Sequence, residues 1–87
     1  MPDALEFSII IPTRDRHAEL AACLDAVMEL RYPGARFEVV VVDDGSLESV
    51  EPVVAPRRER LRITLLSQPG AGPAAARNRG AAAAQAP

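Results

Sequence analysis

The hydrophobic positions along this chain change period several times, and each change marks an element. Phe7 to Ile11 is an apolar run closed by Pro12, which predicts a short buried strand. Leu20, Cys23, Leu24, Val27 and Met28 then recur at spacings of three and four, placing them on one face of an amphipathic helix. Asp15 or the residue after it stands where that helix would be capped, and Tyr32-Pro33-Gly34 where it would end. A second strand follows from Phe37 to Val42, and its four consecutive valines, Val39 to Val42, predict burial on both faces. Ser46 to about Ala55 reads as a short helix opened by Ser46, with Pro52 tolerable only in its first turn. Leu61, Ile63, Leu65 and Leu66 suggest a third strand. Pro73 then suits the first position of a last helix, which the alanine-rich tail would carry to Gln85.

Short strands alternating with helices imply crossover connections and a parallel sheet. The expected fold is α/β: a Rossmann-like, three-layer β-α-β-α-β-α unit, with residues 1–87 forming one partial domain. A sheet of three strands leaves an edge bare, and bare apolar edges invite pairing, so self-association through that edge is expected.

Composition narrows the function classes. Of 87 residues, 48% are hydrophobic and 25% charged, which is globular rather than disordered. The net charge is −2, and all ten basic residues are arginine. Without a basic face or aromatic stacking platforms, nucleic acid is not an expected partner. The single Cys23 excludes a disulfide framework and an internal zinc cluster. The N-terminal residues lack a signal peptide's basic region, and no apolar run reaches membrane-spanning length. A soluble, cytoplasmic segment is expected, with membrane attachment of a longer parent left open.

Three loops should converge at the C-terminal edge of the sheet, where open α/β sheets bind ligands. They are Pro12-Thr13-Arg14, Asp43-Asp44-Gly45-Ser46, and Gln68 to Gly72. A carboxylate there can accept from a base N–H or a ribose hydroxyl, a threonine can contact the base or a backbone group, and Gly70 and Gly72 let the main chain approach closely. Such a pocket suits a nucleoside with its diphosphate nearby. The G-x-G-x-x-G turn of dinucleotide-binding enzymes is absent after the first strand, and a P-loop is excluded because the chain has no lysine.

The segment Phe7-Ser8-Ile9-Ile10-Ile11-Pro12-Thr13-Arg14-Asp15-Arg16 resembles the opening strand and loop of family 2 glycosyltransferases. Val41-Val42-Asp43-Asp44-Gly45-Ser46 is similar to their second-strand motif, and Gly70 to Gly80 resembles their G-x-x-x-A-R-N-x-G segment. The three stand in the family's order and span Phe7 to Gly80. The resemblance implies the donor-nucleotide half of a GT-A fold. It also implies transfer of a sugar from a nucleotide-sugar donor, a UDP-sugar by expectation, with inversion, to a saccharide, lipid or protein acceptor. Carried over by position, Thr13 would lie beside the nucleobase and Asp44 on the uracil, while Asp43 would support the loop or face the ribose. Gly70 and Gly72 would line the nucleobase side, and Arg77 and Asn78 would brace the last helix against the donor site. The resemblance further implies a divalent metal, Mn or Mg, held by a D-x-D motif after the next strand. No D-x-D occurs in these residues, and the general base is also missing, so the chain is expected to be inactive by itself.

Plainer readings stand beside these. Asp-Gly is common turn punctuation. His17 suits a surface or capping role, and Cys23 and Met28 suit core packing on the helix face. Arg14 and Arg16 can reach a diphosphate or pair with the intervening Asp15. Arg77 in an alanine-rich helix is open to solvent or salt-bridge roles. The arginines from Arg57 to Arg62 read as a solvated helix end. At the level of function, a signalling receiver domain is disfavoured because its aspartate pair follows the first strand and it needs a lysine. A non-catalytic module that binds a nucleotide or a partner is the remaining alternative.

Overall fold

Val39, Val40, Val41 and Val42 lie wholly out of solvent at the centre of the computed structural model, which describes residues 5–31 and 36–86. They belong to β2 (Phe37–Asp43), flanked by β1 (Phe7–Thr13) and β3 (Ile63–Ser67) in one parallel sheet ordered β1-β2-β3. The register runs unbroken from Phe7 opposite Phe37 to Thr13 opposite Asp43, and Asp43 stands opposite Ser67 on the far side. Alternation then sorts the side chains. Val39 and Val41 pack with Leu20 and Leu24 of α1 (His17–Met28) and Val54 of α2 (Glu51–Val54). Val40 and Val42 pack with Ala76 of α3 (Pro73–Ala83) and with Ile10 and Leu66. The result is three layers, with α1 and α2 on one face and α3 across β1 and β2 on the other. Each buried valine is worth roughly 1.5–3 kcal/mol of transfer free energy, so β2 is the anchor of the unit.

Helix α3 sits close to the sheet because its inward residues are small. Ala76 and Gly80, four apart, face the strands, and both are buried. At the opposite end of the sheet from the loops, the rings of Phe7 and Phe37 stack with centroids 5.1 Å apart. Beside them Glu38 Oε2 accepts from Ser8 Oγ at 2.7 Å and from the amides of Gln85 and Ala86 at 2.5 and 3.2 Å. Burial pushes this carboxyl's pKa up, but those donors and the Arg62 cation outweigh it and hold it below the usual carboxylate range.

Several boundaries differ from the expected ones, each for a local reason. Pro12 lies inside β1 rather than closing it, because β1 is an edge strand with a partner on one side only among the described residues. Helix α2 begins at Glu51, not Ser46, with Pro52 in its first turn, and continues as a 3-10 turn over Ala55–Glu59. Of the two expected caps of α1, the residue after Asp15 holds the position: Arg16 is the N-cap, without a side-chain bond to the helix, while the Asp15 carboxylate accepts from Leu47 N. Cys23 is exposed rather than core, since the buried stripe runs through Leu20 and Leu24 and leaves it on the flank. Helix α3 stops at Ala83, where an extended Ala84 turns the next two amides onto Glu38. Arg57 is not a solvated helix end: its guanidinium grips both carboxylate oxygens of Asp25 on α1, at 2.9 and 3.2 Å. The expected stop at Tyr32-Pro33-Gly34 lies outside the described residues.

Candidate functional site

Parallel strands of matched register put the loops after β1, β2 and β3 at one edge, and backbone bonds continue the sheet into them. Asp44 N donates to Thr13 O at 2.8 Å, and Gln68 N donates to Asp43 O at 2.9 Å. Gly45, with φ of 89°, turns the second loop directly against the third. A Cβ there would lie 2.8 Å from Gly70 N, so only glycine fits this approach.

Asp44 is the centre of the cluster. It is 4% exposed, and its carboxylate is held by three donors from the third loop. Oδ1 accepts from Gln68 Nε2 at 2.9 Å and Ala71 N at 2.8 Å, while Oδ2 accepts from Gly72 N at 2.9 Å. Gly72 is also the N-cap of α3, so the anion sits at the positive end of that helix. The Gln68 bond foremost, then the Ala71 and Gly72 amides and the Arg14 cation, hold the Asp44 pKa below its ordinary value against the opposing effect of burial. A carboxylate offers about four lone-pair sites, so three donors leave Oδ2 with capacity for one more.

Asp44 lines an open cleft of about 410 Å³ with Pro12, Thr13, Arg14, Arg16, Pro73 and Arg77. That volume suits a nucleoside-sized ligand. Arg14 lies over the glycine loop; a Cβ on Gly70 would come within 3.1 Å of its guanidinium. Of the residues expected at the site, Pro12, Thr13, Arg14, Asp44 and Arg77 therefore share the cleft. Asp43 faces away from it and lines a second, shallow recess with Ser46 and Ser67, its Oδ1 accepting from Ser46 N at 3.1 Å. The adjacent acids thus serve opposite sides, as neighbouring strand residues do. Gly70 and Gly72 shape the loop and supply an amide without lining the cleft, and Asn78 is an exposed residue of α3 outside it. Two contributors have no local signal in the sequence. Gln68 orients Asp44, and Arg79, rather than Asn78, ties α3 to β3 through Ser67 O at 2.6 Å.

The sequence profile described as Glycosyl transferase family 2 matches residues 8–87. The chain belongs to glycosyltransferase family 2. Among family relatives, validoxylamine A glucosyltransferase of Streptomyces hygroscopicus subsp. limoneus is 42% identical over 82 residues, 92% of this chain and 18% of that protein. The poly(ribitol-phosphate) beta-N-acetylglucosaminyltransferase TarS of Staphylococcus aureus is 32% identical over 76 residues, 85% of this chain and 13% of that protein. This family 2 chain therefore spans less than a fifth of the length of these two relatives. The crystal structure of S. aureus TarS 1–349 in complex with UDP matches with a TM-score of 0.87 at 28% identity, covering 94% of this chain and 25% of that one. The Pyrobaculum calidifontis mannosyltransferase PcManGT, in complex with GDP-Man and Mn2+, matches with a TM-score of 0.82 at 29% identity and the same coverage. The α/β, GT-A-like fold and the glycosyltransferase family are thereby established.

The family neighbour with Mn2+ raises the question of a metal here. Among the described residues no group of three or more His, Cys, Asp or Glu side chains could hold a metal ion. Asp43 and Asp44 do not converge, and the Asp44 oxygens already face N–H donors. These residues do not by themselves fit a metal.

Proposed function

We propose that this chain forms the nucleotide-binding part of a sugar transferase's donor site, taking the uridine diphosphate portion of a UDP-sugar. The observation that carries the reading is the Asp44 carboxylate, locked by three donors at a cleft it shares with Arg14, Arg16 and Arg77. The residual acceptor on Oδ2 matches the N3–H of uracil, whereas cytosine presents an acceptor at that position. Arginine guanidinium groups match phosphate oxygens geometrically and in charge. Thr13 and Pro12 close the base side, and Arg77 reaches the cleft from α3.

In this reading the chain's residues bind and orient the donor while the leaving diphosphate gains charge. A divalent metal that assists its departure, the general base and the acceptor contacts would come from outside these residues. The 87 residues alone would bind donor nucleotide without turning it over. Titration of UDP and CDP against the chain and its Asp44→Ala variant tests this. Saturable UDP binding, weaker CDP binding and a loss of roughly ten-fold or more in the variant are expected. Equal binding of UDP and CDP, or unchanged UDP affinity in Asp44→Ala, overturns it.

A further inference from the structure

Among the described residues, Asp15 is the one non-glycine residue with positive φ, at 51°. Side chains with a Cβ avoid that conformation, aspartate and asparagine less than others. Two bonds hold Asp15 there, both from the β2–α2 loop. Its amide donates to Ser46 Oγ at 2.8 Å, and Leu47 N donates to Asp15 Oδ1 at 2.9 Å. Ser46 is itself fixed by the buried Asp43, whose Oδ1 accepts from Ser46 N. Two residues further on, His17 Nε2 lies 3.0 Å from Ser49 O and joins the same two loops a second time. A chain of bonds thus runs from the sheet interior to Asp15.

Asp15 does not line the cleft, yet the residues on either side of it, Arg14 and Arg16, both do. The left-handed turn between them sets their relative placement. The Arg14–Asp15 ion pair is not what matters: its atoms are 4.0 Å apart and both side chains are about half exposed, so the attraction is weak. The carboxyl oxygen as an acceptor and the tolerance for positive φ are what the latch uses, and asparagine has both.

We propose that Asp15 is a positioning residue which, latched to Ser46 and Leu47, holds Arg14 and Arg16 in the cleft, where their guanidinium groups would meet a diphosphate, without touching the nucleotide. This rests on the donor-nucleotide reading above. It separates from a merely structural role because it concerns the phosphates and not the base.

The test compares UDP and uridine binding by NMR shift titration in the wild-type chain and in Asp15→Asn, Asp15→Gly and Asp15→Ala, with thermal unfolding of each. Asp15→Asn should stay close to wild type for both ligands. Asp15→Gly keeps the backbone conformation and drops the acceptor; it should lose roughly three- to ten-fold for UDP with uridine unchanged. Asp15→Ala should lose at least as much. Equal losses for UDP and uridine in Asp15→Gly, or unchanged UDP affinity there, overturn the proposal while leaving the nucleotide site standing. Wild type that binds neither ligand overturns the donor reading itself.

Discussion

Ile10 and Gly80 meet so closely that a Cβ on Gly80 would stand 2.5 Å from Ile10 Cγ2, and 3.2 Å from Val42 Cγ2. The Ile10 methyl is carried on a β-branched carbon with little rotamer freedom, so it cannot swing aside. Gly80→Ala gains about 1 kcal/mol of helix propensity but meets an overpacking cost of about 1–3 kcal/mol. Net destabilisation is expected, read as a lower urea midpoint. Ile10→Ala carries its own large-to-small cost but removes the obstructing methyl, so the two substitutions together should cost less than the sum of their single effects.

Gly45 and Gly72 share positive φ, at 89° and 97°, but not surroundings. An added Cβ at Gly45 meets the Gly70 backbone at 2.8 Å, while at Gly72 it meets nothing within 4 Å. Alanine at either position bears the strain of a positive φ, about 1–3 kcal/mol. Only Gly45→Ala must also push the third loop away, and with it the Ala71 and Gly72 amides that hold Asp44. Gly45→Ala should therefore lose more stability than Gly72→Ala and also weaken UDP binding. Chemical unfolding and nucleotide titration of the two variants side by side check this.

Arg57 joins the 3-10 turn to α1 through its two-pronged contact with Asp25 and a third bond, 2.8 Å, to Val53 O. Its side chain is 20% exposed, so the pair is better shielded than a surface ion pair. Arg57→Ala is expected to cost about 1 kcal/mol or slightly more, with part of that from lost packing of the stem. Arg57→Lys should restore only a fraction, because an ammonium cannot match both oxygens at once. A double-mutant cycle with Asp25→Ala should show coupling, and simple additivity would remove the contact from the stability account.

What was legible in the sequence was whatever repeats locally. The valine run of β2 and the Leu20–Leu24 spacing of α1 are set by burial of neighbouring positions, and both lie where periodicity placed them. The convergence of three loops followed from parallel topology alone. Polar partners were not legible, because they are far apart in the chain. Ser46 looks like a helix opener until its hydroxyl is seen bound to Asp15, 31 positions away. Arg57 looks solvated until Asp25, 32 positions away, is placed beside it. Gln68 carries no pattern at all, and its role exists only because the fold sets its amide against Asp44. Cys23 failed differently: a spacing of three from Leu20 lies on the flank of a stripe that is centred on Leu24.

Acid should unfold this chain through two carboxylates at opposite ends of the sheet. Glu38 and Asp44 both have folded-state pKa values held below their ordinary values. A depressed pKa means the unfolded chain takes up a proton more readily. The stabilisation is therefore complete above the ordinary carboxylate range, near about pH 4, and is lost as pH falls through the folded-state values. The urea midpoint should stay flat from neutral pH down to about 5 and drop below about 4. Glu38→Gln should lower the neutral plateau, since a charged acceptor shared by three donors is replaced by a neutral one. It should also make the acid limb shallower, and Asp44→Asn should do the same from the other end. The sites share no partners, so their effects on the acid limb should add. An acid limb as steep in the double variant as in the wild type would assign the acid sensitivity to other groups.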